Sequence, residues 1–120
     1  MKTNKKIRIL VADDDPMVKL IWQSLNNPKY TVKVVQDGPE VLAINLLDTD
    51  IIFMDINMPT LNGIETTKII RKQQIDKPII GVTAHVETKV INECLAAGMN
   101  DLLSKPLFPQ DLERVISASC

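Results

Sequence analysis

Aromatic residues are scarce in this 120-residue chain: Trp22, Tyr30, Phe53 and Phe108 are the full set. A platform that stacks nucleic-acid bases needs several rings in a row, so single-strand binding is disfavoured. Positive charge is not in excess either. Fourteen basic residues face 15 acidic ones, leaving a net charge of −1, a balance that disfavours a nucleic-acid-binding surface. No apolar run approaches the roughly 20 residues that span a bilayer, and no membrane contact is expected of this chain. The basic stretch at 1–6 is followed by six mostly apolar residues and then by acids, without a signal peptide's length or cleavage site. The two cysteines, Cys94 and Cys120, form no CxxC and have no nearby histidine. A disulfide framework and a thiolate metal site are both poor fits, and a reducing, cytoplasmic setting is the simple expectation. GxxxxGK[ST] is missing, which excludes a P-loop nucleotide site. Repeats, low-complexity stretches and linkers are missing too.

What remains is a 45% hydrophobic chain, enough for one domain over 1–120 with one core. A pattern recurs along it: a short aliphatic run, a turn, then an amphipathic segment. Residues 7–12, 30–35, 51–54, 78–82 and 101–103 read as strands, the second nearer a sheet edge. Asp15 and Pro16 open a first helix, as N-cap and first helical residue, that reaches about 26–28. Further helices are expected from Asp37-Gly38-Pro39 through Leu47, from Gly63 to about Gln74, from Val86 to Ala97, and from Pro109 to about Ser117. Gly98 should close the fourth helix in a left-handed position. Strands apolar on both faces, alternating with helices, mean a doubly wound parallel sheet covered on both sides.

In such sheets ligands gather at the carboxyl ends of the strands. That is where Asp13-Asp14, Asp55, Thr83 and Lys105 fall. Three acids, a hydroxyl and an ammonium from four strand ends suit Mg²⁺ and a phosphoryl group. Mg²⁺ demands near-octahedral oxygen ligands. Crowded carboxylates raise one another's pKa unless a cation sits among them. An ionised Asp55 is a competent nucleophile, and charge on a transferring phosphoryl group needs cations and N–H donors. Asp55 follows four apolar residues and precedes another, so a plain turn acid is a poor explanation.

The blocks Ile9 through Asp15, Met54-Asp55-Ile56-Asn57-Met58-Pro59, Asn62-Gly63, Val82-Thr83-Ala84, Gly98-Met99-Asn100-Asp101 and Ser104-Lys105-Pro106 resemble the receiver domain of two-component response regulators. Their wording is most similar to receivers attached to hybrid sensor histidine kinases. The resemblance implies a flavodoxin-like five-stranded parallel sheet, order 2-1-3-4-5, flanked by five helices. It implies Asp55 as phosphoacceptor from a phosphohistidine, with a histidine kinase or histidine-containing phosphotransfer domain as partner. Mg²⁺ would be held by Asp14, Asp55 and the backbone carbonyl of Asn57, with Asp13 acting through water. Thr83, the Ala84 N–H and Lys105 would bind phosphoryl oxygens, and the Lys105-Pro106 bond is a candidate cis peptide.

Thr83 would also be the moving part of a switch. Many receivers carry Tyr or Phe where this chain has Leu102, so an aromatic flip cannot report phosphorylation here. Asn57 and His85 flank the site and would tune hydrolysis of the phosphoryl group. On the first helix Val18, Ile21, Trp22 and Leu25 make the core stripe, which leaves Met17 and Leu20 as surplus apolar residues. With Phe108 they are the candidate docking surface for a helical, histidine-bearing partner. The end at Ser119-Cys120, at the close of the last helix, is expected of a domain cut from a hybrid kinase. A stand-alone single-domain regulator is the alternative. A rival of another class is a small phosphohydrolase with an aspartyl-phosphate intermediate. That chemistry places a general acid two residues after the nucleophile, where this chain has Asn57, which cannot give up a proton.

Overall fold

The computed structural model describes residues 6–25, 27–84 and 87–120. Five strands, β1 (Ile7–Ala12), β2 (Tyr30–Val35), β3 (Ile51–Asp55), β4 (Ile79–Thr83) and β5 (Asp101–Ser104), form one parallel sheet in the order β2-β1-β3-β4-β5. Five α-helices connect and follow them: α1 (Pro16–Leu25), α2 (Gly38–Leu42), α3 (Gly63–Lys72), α4 (Thr88–Ala97) and α5 (Pro109–Ser119). This is the doubly wound, flavodoxin-like arrangement expected from the sequence. Every residue of β3 and β4 is buried, whereas β2 alternates between half-buried and exposed positions up to Tyr30–Val35's last residue. Central strands are covered on both faces and read as apolar runs; an edge strand keeps a wet face.

The two faces of the sheet carry separate cores. On one, Val18 and Trp22 of α1 and Leu112, Val115 and Ile116 of α5 pack on Ile9, Val11, Phe53 and Val82. Trp22 meets Phe53 edge to face, ring centroids 4.8 Å apart. Each such side chain removed from water contributes roughly 1.5–3 kcal/mol before entropy is counted. On the other face, Val41, Ile70 and Cys94 of α2, α3 and α4 pack on Leu10, Ile52, Met54 and Ile79.

Two details of this second face differ from, or go beyond, the sequence reading. The second helix was expected to run through Leu47 but ends at Leu42. Ile44 N–H bonds back only three residues, to Val41, and the Asn45 side chain accepts from Leu47 N–H at 3.2 Å. Asn45 thereby caps a separate 3₁₀ turn, Leu46–Asp48, instead of continuing the helix. The other strand and helix boundaries agree with expectation to within about two residues, but Asn26 and Val86 lie outside the described residues. At the far end of α4, Gly98 takes φ 114°, the left-handed cap expected of it. Arg71 on α3 seals that cap: its Nε donates to the Gly98 carbonyl at 2.9 Å and its Nη2 to Asn100 Oδ1 at 2.9 Å.

Candidate functional site

Strand register delivers the site residues to one level. Ala12 is paired with Met54, Asp55 with Val82, and Thr83 with Ser104. Asp13 and Asp55 therefore stand beside each other one step past a shared pair, with Thr83 and Lys105 on the adjoining strand ends. The ladder continues beyond the strands and fixes these positions: Asp13 N–H donates to Val35 C=O at 2.9 Å, and Lys105 N–H to Thr83 C=O at 2.8 Å. β1 has β2 on one side and β3 on the other, so the chain's winding reverses there, and the crevice opens at the reversal.

Within the crevice Asp13, Asp55 and Thr83 are buried, while Asp14 and Ala84 are exposed. Ligand oxygens of Asp13, Asp14 and Asp55 all lie within 4.8 Å of one another. Lys105 Nζ reaches both buried acids, 3.1 Å from Asp13 Oδ2 and 3.4 Å from Asp55 Oδ2. The Lys105-Pro106 bond that follows is cis, as the sequence suggested. Asp13 also accepts from Asp15 N–H, and Asp55 from Asn57 N–H at 3.2 Å.

Burial, and then the charge of Asp13, push the Asp55 carboxyl up to about 6. Lys105 and the Asn57 N–H pull it the other way but do not win. Burial alone would lower the Lys105 ammonium. Its hydrogen bond to Asp13 and the charges of Asp13 and Asp55 hold it above the ordinary lysine value instead. One ammonium thus stands against three carboxylates. This all-oxygen, anionic donor set fits Mg²⁺, a hard ion that favours carboxylates and keeps several waters.

The other residues singled out in the sequence divide. Leu102 is half-buried on β5 against the α2–α4 core. Asn57 is exposed beside Asp55. Met17, Leu20 and Phe108 are exposed by 60%, 56% and 51%, so the surplus apolar residues of α1 do lie off its buried stripe. His85 lies outside the described residues. The Asp37 carboxylate was missed as part of the neighbourhood. It grips the loop after β3, and the only sequence signal was an Asp-Gly-Pro turn.

The comparisons with known proteins bear on the family and the fold. A model of the family described as response regulator receiver domain matches residues 9–117. The chain is 34% identical to hybrid signal transduction histidine kinase C of Dictyostelium discoideum over 119 residues, covering 91% of this chain and 10% of that protein. It is 37% identical to the sensor histidine kinase RcsC of Escherichia coli strain K12, covering 87% of this chain and 11% of that protein. A solved receiver domain, that of the Francisella response regulator 1452, superposes with a TM-score of 0.84 at 33% identity, over 94% of this chain and 95% of that one. The chain belongs to the response regulator receiver domain family. It spans about a tenth of the length of the sensor kinases it matches.

Proposed function

We propose that this domain accepts a phosphoryl group on Asp55 from a phosphohistidine and passes the signal on by relay or by a conformational switch. The observation that carries the reading is the placement of Lys105 against the two buried members of an acid triad, 3.1 Å from Asp13 and 3.4 Å from Asp55, with Asp14 as the third. A carboxylate oxygen of Asp55 attacks phosphorus, an O–P bond forms, and the P–N bond breaks with its electrons leaving on imidazole. Asp14, Asp55 and the Asn57 carbonyl would hold Mg²⁺, with Asp13 acting through water. When bound, the ion neutralises charge on phosphoryl oxygens and favours the ionised form of Asp55. Lys105, the Thr83 hydroxyl and the Ala84 N–H take the remaining oxygens, which is positioning and electrostatics more than covalent chemistry. Thr83, moving toward the new charge with Leu102 behind it, serves as the switch. The Asn57 side chain, and His85 by sequence position, tune access of the hydrolytic water.

Donor and recipient are a histidine kinase or a histidine-containing phosphotransfer domain, met on the cytoplasmic side, and the parent is a hybrid sensor kinase. Among the described residues no helix is long and apolar enough to cross a membrane. The Asn57 at the general-acid position sets this reading above the phosphohydrolase. Intact mass after incubation with Mg²⁺ and a small acyl-phosphate donor tests it: one phosphoryl adduct is expected, and steady hydrolysis of an added phosphate ester without an adduct contradicts it.

Met17, Leu20 and Phe108 form the docking surface in this proposal. Leu20→Asp is expected to slow transfer from a phosphorylated histidine-phosphotransfer domain about tenfold, the equivalent of roughly 1.4 kcal/mol. Labelling by the small donor should stay at the wild-type rate. Equal slowing in both assays would place the effect in the fold, not in docking.

A further inference from the structure

We infer that Asp37 is a positioning residue for the metal: its carboxylate clasps the loop that carries the Asn57 carbonyl. The inference rests on the phosphoacceptor reading above. Asp37 follows β2, and its carboxylate meets the start of α2 and the loop after β3. Its Oδ1 accepts from Gly38 N–H at 2.7 Å, which starts α2, and from Leu61 N–H at 3.1 Å. Oδ2 accepts from Thr60 N–H at 3.0 Å, and Oδ1 shares that donor at 3.2 Å. One side chain thereby begins a helix and ties down two successive amides 23 and 24 residues away.

The loop between β3 and α3 has few other holds. Ile56 is fixed at its start by an N–H bond to Val82 C=O at 3.2 Å and accepts from Gly63 N–H at 2.9 Å. Asn57 N–H donates to Asp55 Oδ1, and the Met58 side chain is buried in the α2–α4 core. Pro59 is exposed and has no N–H to give. The backbone N–H groups of Thr60 and Leu61 donate to the Asp37 carboxylate. Removing that carboxylate leaves the three-residue stretch Asn57-Met58-Pro59 attached at its start and by one side chain.

Contact between the two loops is close enough to transmit the hold. A methyl group at Gly38 would run into the Thr66 hydroxyl and sit 2.7 Å from the Leu61 carbonyl. The start of α2 is therefore seated directly on the start of α3 and the loop before it. Burial works against the charged form of Asp37, yet the Thr60 side chain and the N–H groups of Leu61, Gly38 and Thr60 hold its carboxyl below the usual value. It stays an ionised acceptor at neutral pH. Mg²⁺ tolerates little departure from octahedral geometry, so a displaced carbonyl ligand weakens binding even with the carboxylates intact.

The test is calorimetric titration of Mg²⁺ into the unphosphorylated chain, with thermal unfolding of each variant measured alongside. Asp37→Ala is expected to raise the Mg²⁺ Kd by about 10–100-fold, as loss of an outer support does at other metal sites. Asp37→Asn keeps the shape and one acceptor oxygen and should fall between, which also preserves the test if the alanine variant does not fold. Val115→Ala, in the opposite core, should lower Tm and leave Kd within about twofold of wild type. Three results would overturn the clasp: an unchanged Kd in both Asp37 variants while Asp55→Asn abolishes binding, equal weakening in Val115→Ala, or no Mg²⁺ binding by the wild type. The last of these would also overturn the metal reading itself, so the two failures are distinguishable.

Discussion

Lys105→Ala should slow phosphoryl uptake from a small acyl-phosphate donor by on the order of 10²-fold at saturating Mg²⁺. Lys105 Nζ lies 3.1 Å from Asp13 and 3.4 Å from Asp55, and its side chain is 23% exposed. A cation held there, largely out of water, is already in place when charge spreads over the phosphoryl oxygens. It needs no reorganisation at the moment of transfer. Lys105→Arg keeps the charge but replaces a compact ammonium with a planar fork, so partial recovery is expected and not full activity. Without the lysine, one of the two influences holding Asp55 down is gone, and the Asp55 carboxyl should titrate above its value of about 6. A Lys105→Ala rate within about threefold of wild type would reduce the lysine to a structural counter-ion.

Asp55→Asn should stabilise the metal-free protein at neutral pH even though it removes the proposed nucleophile. The folded-state carboxyl sits at about 6 against an ordinary value of 3.8, raised first by burial and then by Asp13. A group raised in the folded state binds its proton more tightly there. The stability it contributes is fully present below about pH 4 and is lost as pH rises through about 6. At pH 7.5 the wild type carries the whole penalty of an ionised Asp55, and asparagine carries none. After a discount for solvent screening at the open mouth of the crevice, the difference is on the order of 1 kcal/mol, or about 4 °C in Tm. At pH 4 the two proteins should unfold at nearly the same temperature. Saturating Mg²⁺ should reverse the order at neutral pH, because an ion bound only by the folded wild type stabilises it by mass action. Melting curves at both pH values, with and without Mg²⁺, check all three statements. An asparagine variant no more stable than wild type at pH 7.5 without metal would contradict a carboxyl raised by burial and by Asp13.

Much of this was legible in the residues because burial writes itself into composition. Strands β3 and β4 are apolar on both faces, so their position in the sheet's interior, and the polar residue ending each, could be read directly. The cap at Gly98 and the start of α5 at Pro109 were legible for a similar reason: only a few residue types suit those backbone positions. The end of α2 was not legible. Ala43, Ile44, Leu46 and Leu47 continue an apolar helical pattern, and the competing signal is a hydrogen bond that the Asn45 side chain accepts from Leu47 N–H. The Asp37 clasp was invisible for a different reason. Its partners are backbone amides more than 20 residues away, and a backbone N–H leaves no mark on residue identity. The carbonyl partners of Arg71, whose guanidinium donates to Gly98, Ile75 and Lys77, left no mark on the sequence for the same reason.

Asp55 is expected to become an acyl phosphate. Treating the chain with Mg²⁺ and a small acyl-phosphate donor, reducing with borohydride and mapping peptides by mass would test it most directly, since reduction turns an aspartyl phosphate into homoserine. Homoserine is expected at position 55 alone, absent without Mg²⁺ and absent in Asp55→Asn. Reduction at Asp13 or Asp14, or none at all where a solved receiver domain labels under the same conditions, would contradict it.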